Sequence, residues 1–524
     1  MSSYDYIVVG SGSAGAVVAG RLSEDPNNSV LLVEAGGSHR TMNVQIPAAF
    51  AKQFKTELDW DITTEPEPHL GGRRIYHPRG KMLGGCTSMN AMMYIRGNRH
   101  DYDDWAKGGA TGWSYDEVLP LFLRSENNSR GSSEYHATGG PLHINDQRSP
   151  NSLGDSIIEA MVQAGIPRND DFNGAEQVGA GFAQVTQHKG RRWTTADAFL
   201  VPARKRKNLT VLTKAQTRKL RIAGDRVVGI EVERGGRREI YEATREVILS
   251  AGAFNTPQLL MLSGIGPADH LREHGIDVVV DNPNVGEHLM DHPLYLNNFE
   301  TTATGTLAEA ESPKQLFKFF TQGRGLLTSN VAEIGAFFHT RDGEAAPDIE
   351  MIAGPVYFWD NGFAEHDKPA YVLALSLVGS QSRGRVRLRD GNPLSKVAPT
   401  FNYLAEQADM DSLVAGVERT RQIAASPALE GVTTKELHPG PQARTRAQIE
   451  AKIREGVIHT YHPSCTARIG TEADGVVDPQ LKVHGIQGLR VADASVFPTI
   501  PHGNTHAPTV MVGEKAAELI RTGN

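Results

Sequence analysis

The chain of 524 residues contains little cysteine and no long hydrophobic run. Its two cysteines, Cys86 and Cys465, stand far apart, so the sequence predicts neither a disulfide framework nor a cysteine-based metal site. No apolar run approaches the ~20 residues that a membrane helix needs, and no apolar secretory segment precedes the first predicted strand. From these absences we expect a cytoplasmic protein with no membrane span.

Basic residues are not in excess either. The chain has 54 Lys and Arg against 61 Asp and Glu, for a formal net charge of -7, and this balance argues against a nucleic-acid partner because nucleic-acid surfaces are basic. The hydrophobic share of 39% and the charged share of 22% are those of an ordinary globular protein. The length predicts about two to four domains.

The most informative segment lies at the amino terminus. An apolar run at residues 6–9 is followed by Gly10, Gly12 and Gly15, and a second apolar run at residues 30–33 ends at Glu34. A strand, a glycine turn, a helix over 13–22, a second strand and an acid form the pattern of a dinucleotide-binding fold. The glycines allow a tight turn, a close approach of the backbone to a pyrophosphate and close helix packing. The acid disfavours a phosphorylated ribose, and the pattern alone leaves NAD and FAD both possible.

The rest of the chain divides into segments that differ in residue composition and in the pattern of apolar residues. Residues 78–90 combine glycines with hydroxyl side chains and predict a loop against a flat ligand, before a helix that begins near Asn90. Short strands follow between 209 and 250, and Gly252 opens a second glycine turn and helix. Residues 300–450 lack dinucleotide signals and contain the apolar run 370–378, which predicts a second domain with an antiparallel sheet. An amphipathic helix over 508–520 ends the chain.

With these motifs the chain resembles the glucose-methanol-choline oxidoreductases, flavoenzymes that oxidise alcohols with FAD. The resemblance covers essentially the whole length and depends on the motifs at residues 80–90, 252–266, 285–292, 462–466, 491–495 and 504–509. It implies an α/β fold, with a Rossmann-like FAD-binding domain and a second, α+β substrate-binding domain built on an antiparallel sheet. The implied FAD-binding domain is discontinuous (1–155, 190–300 and 455–524), and the substrate-binding domain comprises 156–189 and 301–454.

The resemblance also implies which residues hold FAD. Some relatives attach the flavin covalently through a histidine, but Met89 stands at that position here, so we expect FAD to bind non-covalently. The implied contacts run from the diphosphate and ribose to the adenine and the flavin ring: Gly10, Gly12, Ser13, Ala14, Gly15, Glu34, Ala35, Met82, Gly85, Asn90, Met93, Thr217, Gly252, Asp493, Ala494 and Thr505.

Oxidation of an alcohol requires a base near the hydroxyl group, and histidine suits this role because its ordinary pKa lies near neutrality. By resemblance, His462 is the base and His506 is its partner, or a second hydrogen bond to the substrate oxygen; the division of roles stays open. His459 and His462 could suggest a metal pair, but Pro463 and the lack of nearby carboxylates or thiols in sequence argue against zinc. We expect no metal.

The predicted reaction is the oxidation of a primary alcohol, benzylic or aliphatic, to the aldehyde. Oxygen and a quinone or other electron carrier are both open as the acceptor, and the oligomeric state is open too. Three alternatives remain at this point. They are a choline or sugar alcohol oxidoreductase, a redox-silent hydroxynitrile lyase that keeps FAD and a catalytic histidine, and a non-catalytic flavin-binding module.

Overall fold

A computed structural model describes residues 2–523, which form two large sheets with helices packed against them. The first sheet contains the amino-terminal strand Ser2–Val9 at its centre, and the last four residues of this strand are buried. Parallel pairing joins most of its strands, and two long antiparallel strands extend one side. The spatial order is Leu209–Leu212, Val30–Val33, Ser2–Val9, Arg237–Leu249, Arg226–Arg234 and Ala215–Ala223, with Leu489–Val491 also beside Arg237–Leu249.

The predicted dinucleotide-binding pattern is present in this sheet, with small differences at the helix ends. The first helix covers Gly15–Leu22 rather than 13–22, because Ser13 belongs to the preceding turn. It packs against the closing helix His506–Thr522, which is two residues longer at each end than predicted. Most of the closing helix is buried, because it packs against the helix Tyr115–Ser125 as well as against the first helix.

The helix predicted near Asn90 is wrong. A short 3-10 turn, Gly85–Ser88, precedes that position, and the next helix is Arg99–Lys107. The backbone of Met92 has a positive φ of 60°, which is outside the helical range. The helix begins instead after Asn98, whose side chain accepts the N–H of His100, as expected of a helix cap.

The second sheet is antiparallel throughout, as the sequence predicts. Its strand Ala370–Leu377 coincides with the predicted run and is buried along its whole length. Side chains alternate between two faces. One face packs on the helices Ser152–Gln163 and Gln407–Ala424, and the other faces the first sheet. The strand order is Thr433–Glu436, Pro293–Thr301, Ala370–Leu377, Ile349–Gly354, Ile334–Phe338 and Gly179–Phe182, with Ile458–His459 beside Pro293–Thr301.

The mixed α/β class is confirmed, and the residue bounds of the two domains stay a prediction. Sheet membership differs from those bounds at two points, because Pro293–Thr301 and Ile458–His459 both belong to the second sheet. Within residues 2–523, no helix is long and apolar enough to cross a membrane. The other α-helices among the described residues are Met42–Gln45, Tyr115–Ser125, Val201–Ala203, Ala268–Glu273, Pro313–Gln322, Arg446–Gly456 and Gly252–Leu262.

Candidate active site

A large cavity lies between the two sheets. It extends from the glycine turn after Ser2–Val9 to the start of the closing helix, and its wall on the other side is the inner face of the second sheet. The volume open to the centres of water-sized molecules is about 300 Å³, at the lower end of the roughly 300–1,000 Å³ measured for small-ligand pockets. The lining of the cavity includes both the glycine turn and the start of the closing helix, so an elongated ligand can lie along it.

The glycine turn forms one end of the cavity. Gly10 has a φ of 97°, and a Cβ on it would stand 2.3 Å from the carbonyl oxygen of Ser250, so a larger residue does not fit there. A Cβ on Gly12 would meet nothing within 4 Å, because this glycine borders the cavity. The backbone at Gly12 is therefore open to a ligand, as the approach of a diphosphate requires.

Glu34 lies at the end of the second strand, where its carboxylate is fixed by three hydrogen bonds. The N–H and the hydroxyl of Ser11 donate to Oε2 at 3.0 and 2.6 Å, and the N–H of Gly36 donates to Oε1 at 2.8 Å. Burial raises the pKa of Glu34, while these donors oppose the rise. A fixed carboxylate at this edge of the cavity is placed to accept ribose hydroxyls.

The structure brings almost all of the predicted cofactor residues to this one cavity. Two residues do not line it. Gly15 packs the first helix against Gly10, and Met82 is buried in a small core with Phe50 and Met89. The predicted residues that line the cavity are Gly10, Gly12, Ser13, Ala14, Glu34, Ala35, Gly85, Asn90, Met93, Thr217, Gly252, Asp493, Ala494 and Thr505.

Several polar atoms of the cavity wall are buried without a hydrogen-bond partner in the described chain. They are Oγ1 of Thr217, Oγ of Ser250, Oδ1 of Asn504 and Nε2 of His506. Buried polar atoms are costly when they are left unpaired. These four come from separate segments of the chain that meet at the cavity, so they fit a polar ligand such as FAD together with a polar substrate group.

His462 and His506 both line the cavity. Nδ1 of His506, the first residue of the closing helix, lies 3.3 Å from the hydroxyl of Ser13. Burial lowers the pKa of His462 to about 3, with Arg79 and His459 adding to the effect, and burial with Arg192 lowers that of His506 to about 4. Both rings are neutral at neutral pH, as a proton acceptor must be.

Two contacts of His462 were not predicted from the sequence. Nδ1 of His292 lies 3.0 Å from Nδ1 of His462, and Nδ2 of Asn504 lies 3.4 Å from the other ring nitrogen, Nε2. The sequence placed His292 and Asn504 inside recognised motifs, but no local pattern indicates that either side chain reaches His462. A contact of Asn90 was not predicted either: Arg192 donates from Nη1 to the carbonyl and side-chain oxygens of Asn90 at 2.6 and 2.9 Å.

A buried group of two histidines and a carboxylate lies behind His462. Ligand atoms of His77, Asp291 and His459 lie within 4.8 Å of one another, which is close enough to suggest a metal. However, Nε2 of His459 lies 2.8 Å from the carbonyl oxygen of Tyr76, and its Nδ1 accepts the N–H of Tyr461 at 3.0 Å. His459 has no free lone pair, so His77 and Asp291 remain as two possible ligands, fewer than the three protein ligands of a catalytic zinc site or the four of a structural one.

Next to the histidines, the cavity is apolar. Phe50 and Phe358 stack with their ring centroids 6.1 Å apart, and the inner face of the second sheet adds aliphatic side chains. In the part of the chain that is described, the cavity wall contains two carboxylates, Glu34 and Asp493. Both are engaged by neighbouring donors. The apolar wall comprises Phe50, Phe54, Met89, Leu294, Leu296, Val331, Ile352, Phe358 and Val372.

Comparison with known proteins assigns the family. Two family models, both described as GMC oxidoreductase, match residues 4–294 and 380–513. The chain belongs to the GMC oxidoreductases. Members of this family bind FAD, and the predicted resemblance is confirmed.

Individual GMC relatives differ in the reaction that their names describe. An uncharacterized GMC-type oxidoreductase of Mycobacterium tuberculosis is 44% identical over 99% of both chains. An oxygen-dependent choline dehydrogenase of Sinorhizobium fredii is 42% identical over 98% of this chain and 95% of its own. Among solved structures, pyridoxine 4-oxidase from Mesorbium loti matches with a TM-score of 0.90 at 31% identity, over 99% of both chains. A formate oxidase variant of Aspergillus oryzae, described for the modification of its FAD, matches with a TM-score of 0.94 at 26% identity, over 100% and 99%.

Proposed function

We propose that this GMC oxidoreductase oxidises a primary alcohol, benzylic or aliphatic, to the aldehyde, with His462 as the base. The observation that carries the proposal is the pair of buried, neutral histidines beside an apolar compartment in the cavity that suits FAD. FAD bound in this cavity would accept the hydride from the α-carbon of the alcohol.

The protein side chains supply the acid–base part of the reaction. His462 accepts the hydroxyl proton at Nε2, the ring nitrogen that has Nδ2 of Asn504 3.4 Å away. His506 holds the substrate oxygen through its unpaired Nε2, while its Nδ1 faces Ser13. The apolar wall excludes water from the reacting atoms, and exclusion of water strengthens each of these hydrogen bonds.

Non-covalent FAD is part of the same proposal. Met89 lines the cavity with its backbone at the end of the turn Gly85–Ser88. A thioether cannot form the bond that a histidine forms with a flavin in some relatives. Met89 instead packs in a small core with Val44, Phe50 and Phe54.

Choline oxidation is the second candidate, because a relative with 42% identity is named as a choline dehydrogenase. The cavity gives less support to a quaternary ammonium substrate. The two carboxylates of the described cavity wall, Glu34 and Asp493, already accept hydrogen bonds from neighbouring side chains. Arg79 adds a positive charge to the same wall. Aromatic rings such as Phe50 could still attract a cation, so choline belongs in the substrate test.

The test is an anaerobic panel of benzyl alcohol, hexanol, pyridoxine, choline and glucose, followed by the absorbance of the flavin. We expect bleaching with benzyl alcohol or hexanol. Persistent absorbance with all five would contradict the proposal, and aldehyde release from mandelonitrile would then identify a lyase. Repeating the panel with a peroxide assay and with an artificial electron acceptor assigns the electron acceptor.

The role of the base is tested with His462→Ala. A positioned base contributes ~10² to 10⁴ in rate, so flavin reduction by saturating alcohol should slow by about that factor. His100→Ala removes an exposed histidine and serves as the control with parent activity. Reduction of His462→Ala at the parent rate would reject His462 as the base.

A further inference from the structure

Two histidines 170 residues apart in sequence are held side by side behind the cavity. The strand Ile458–His459 pairs antiparallel with Pro293–Thr301, and the pairing continues past both strands. The N–H of Thr460 donates to the carbonyl oxygen of His292 at 2.9 Å, and the backbones of Met290 and Ser464 exchange hydrogen bonds. This register brings His292 opposite the segment that carries His462.

One carboxylate oxygen fixes both histidine backbones. Oδ1 of Asp291 accepts the N–H of His292 at 2.7 Å and the N–H of His462 at 3.0 Å. The two rings are buried and nearly perpendicular, at 86°, with Nδ1 of one facing Nδ1 of the other at 3.0 Å. Two neutral imidazoles in this contact must have one N–H donor and one lone-pair acceptor.

The surroundings of Nε2 of His462 decide which ring donates. This nitrogen faces the side-chain nitrogen of Asn504 at 3.4 Å, an N–H donor that favours a lone pair there. The proton of His462 is then on Nδ1, which donates to Nδ1 of His292. The proton of His292 is left on Nε2, which has no hydrogen-bond partner in the described chain. The opposite arrangement would set two donors against each other at Asn504.

We propose that His292 is a positioning residue that fixes the tautomer of His462. It accepts a hydrogen bond from Nδ1–H of His462, so that Nε2 of His462 keeps its lone pair directed into the cavity. This inference depends on the proposed function, in which Nε2 of His462 receives the hydroxyl proton. After that transfer, the same hydrogen bond holds the imidazolium ring in place.

Other titratable groups near the pair do not replace this arrangement. His502 and His462 are the ionisable neighbours that act on His292, and Arg79 and His459 act on His462. All of them disfavour a charged ring, as does burial, so both histidines of the pair remain neutral before substrate binds. The hydrogen bond between them is then a bond between neutral rings, whose direction sets the tautomer.

The first experiment reads the tautomer directly in the holoenzyme. Nitrogen-15 histidine spectra distinguish a protonated ring nitrogen from a lone-pair nitrogen, and the His462→Ala variant assigns the signals of His462 by their loss. We expect His462 protonated at Nδ1 and unprotonated at Nε2. A proton on Nε2 of His462 at neutral pH would overturn the inference, without any measurement of activity.

The second experiment compares His292→Leu, which removes the acceptor, with His292→Asn, whose side-chain oxygen can accept near the position of Nδ1. With the wrong tautomer available to His462, flavin reduction at saturating alcohol should slow by about 10²-fold in His292→Leu, while KM changes by about threefold or less. His292→Asn should recover most of the rate. His69→Leu, at an exposed position, is the control.

The outcomes separate this inference from the proposed function. If His462→Ala is inactive and His292→Leu, with normal FAD content, reduces within about twofold of the parent, His292 does not position the base. If His462→Ala itself reduces at the parent rate, the proposed function fails whatever the His292 variants show. The tautomer measurement on the parent protein keeps the inference open to rejection even if His292→Leu does not fold.

Discussion

A Cβ placed on Gly15 would stand 2.0 Å from the carbonyl oxygen of Gly10. No side chain fits at that distance, and the obstacle is backbone that cannot move aside. Gly12, three residues earlier, lies in the same turn but has nothing within 4 Å of its Cβ position. The two glycines therefore serve different purposes, one in packing the fold and the other in leaving space for a ligand.

This contrast predicts different outcomes for two matched substitutions. Gly15→Ala should destabilise the protein itself, by about 1–3 kcal/mol or more from overpacking. Gly12→Ala should leave the stability of the FAD-free protein nearly unchanged and weaken FAD binding by roughly 10- to 100-fold, because its methyl group enters the cavity. Thermal unfolding without FAD and a fluorescence titration with FAD measure the two effects. Equal losses of stability in both variants would contradict this division.

A second prediction concerns the attachment of FAD. Because Met89 stands where some relatives carry a histidine, precipitation of the purified protein with acid should release all of its flavin into the supernatant. The measurement is the absorbance of the supernatant and the pellet, with fluorescence of a denaturing gel as an independent check. A pellet that stays yellow, with a fluorescent protein band, would show a covalent bond that the structure does not explain.

A third prediction concerns stability in acid. His459, His462 and His506 have pKa values of about 3, 3 and 4 in the folded protein, against about 6.5 when unfolded. Below pH 6.5 the unfolded state therefore binds more protons, so the stability supplied by these neutral rings is lost as the pH falls from about 6.5 towards 3–4. Urea unfolding of FAD-free protein at several pH values between 7 and 4.5 measures the free energy of unfolding, to which Glu67 and Glu350, whose pKa values burial raises to about 7 and 8, contribute in the opposite direction.

The variant His506→Asn tests the size of this effect. It should make the slope of unfolding free energy against pH shallower, by up to about 1.4 kcal/mol per pH unit. Asp291, with its pKa raised by burial to about 7, contributes in the opposite direction but is unchanged in the variant and cancels in the comparison. His100→Asn, at an exposed position, should keep the parent slope. Parallel curves for the parent and His506→Asn would count against a neutral buried His506.

A fourth prediction concerns the apolar compartment. Phe358→Ala removes a ring that lines the cavity and stacks on Phe50. Loss of this contact should cost about 1.5–3 kcal/mol of binding, which raises KM for an aryl alcohol roughly 10- to 100-fold. The rate of flavin reduction at saturating alcohol should change much less. Phe320→Ala, at a ring that is 52% exposed, is the matched control.

A slowed reduction by Phe358→Ala with an unchanged KM would place Phe358 in the chemical step instead of in substrate binding. Steady-state kinetics and anaerobic stopped-flow, performed on the same preparations, separate these two results.

Local patterns were enough to predict the amino-terminal unit of the first sheet, whereas the other predicted cavity residues were implied by the family resemblance. Gly12 and Glu34 belong to one strand–turn–helix–strand unit, so their spacing in sequence already determines their spacing in the fold. The contact between His292 and His462 could not be predicted in this way, because it depends on the register of two strands that are distant in sequence. The helix predicted near Asn90 failed for a local reason: Met92 has a left-handed backbone conformation that small residues in the loop did not reveal.

The alternation of side chains in the second sheet has a practical consequence for protein engineering. Leu294, Leu296, Ile352, Val372 and Ala374 line the cavity, whereas their neighbours along the strands, such as Tyr295, Met351 and Leu373, belong to the core behind the sheet. A combinatorial library restricted to the five cavity positions would change the shape of the substrate compartment while leaving that core intact. Substrate scope and folding stability are in this way encoded by different residues of the same three strands, and each can be selected separately.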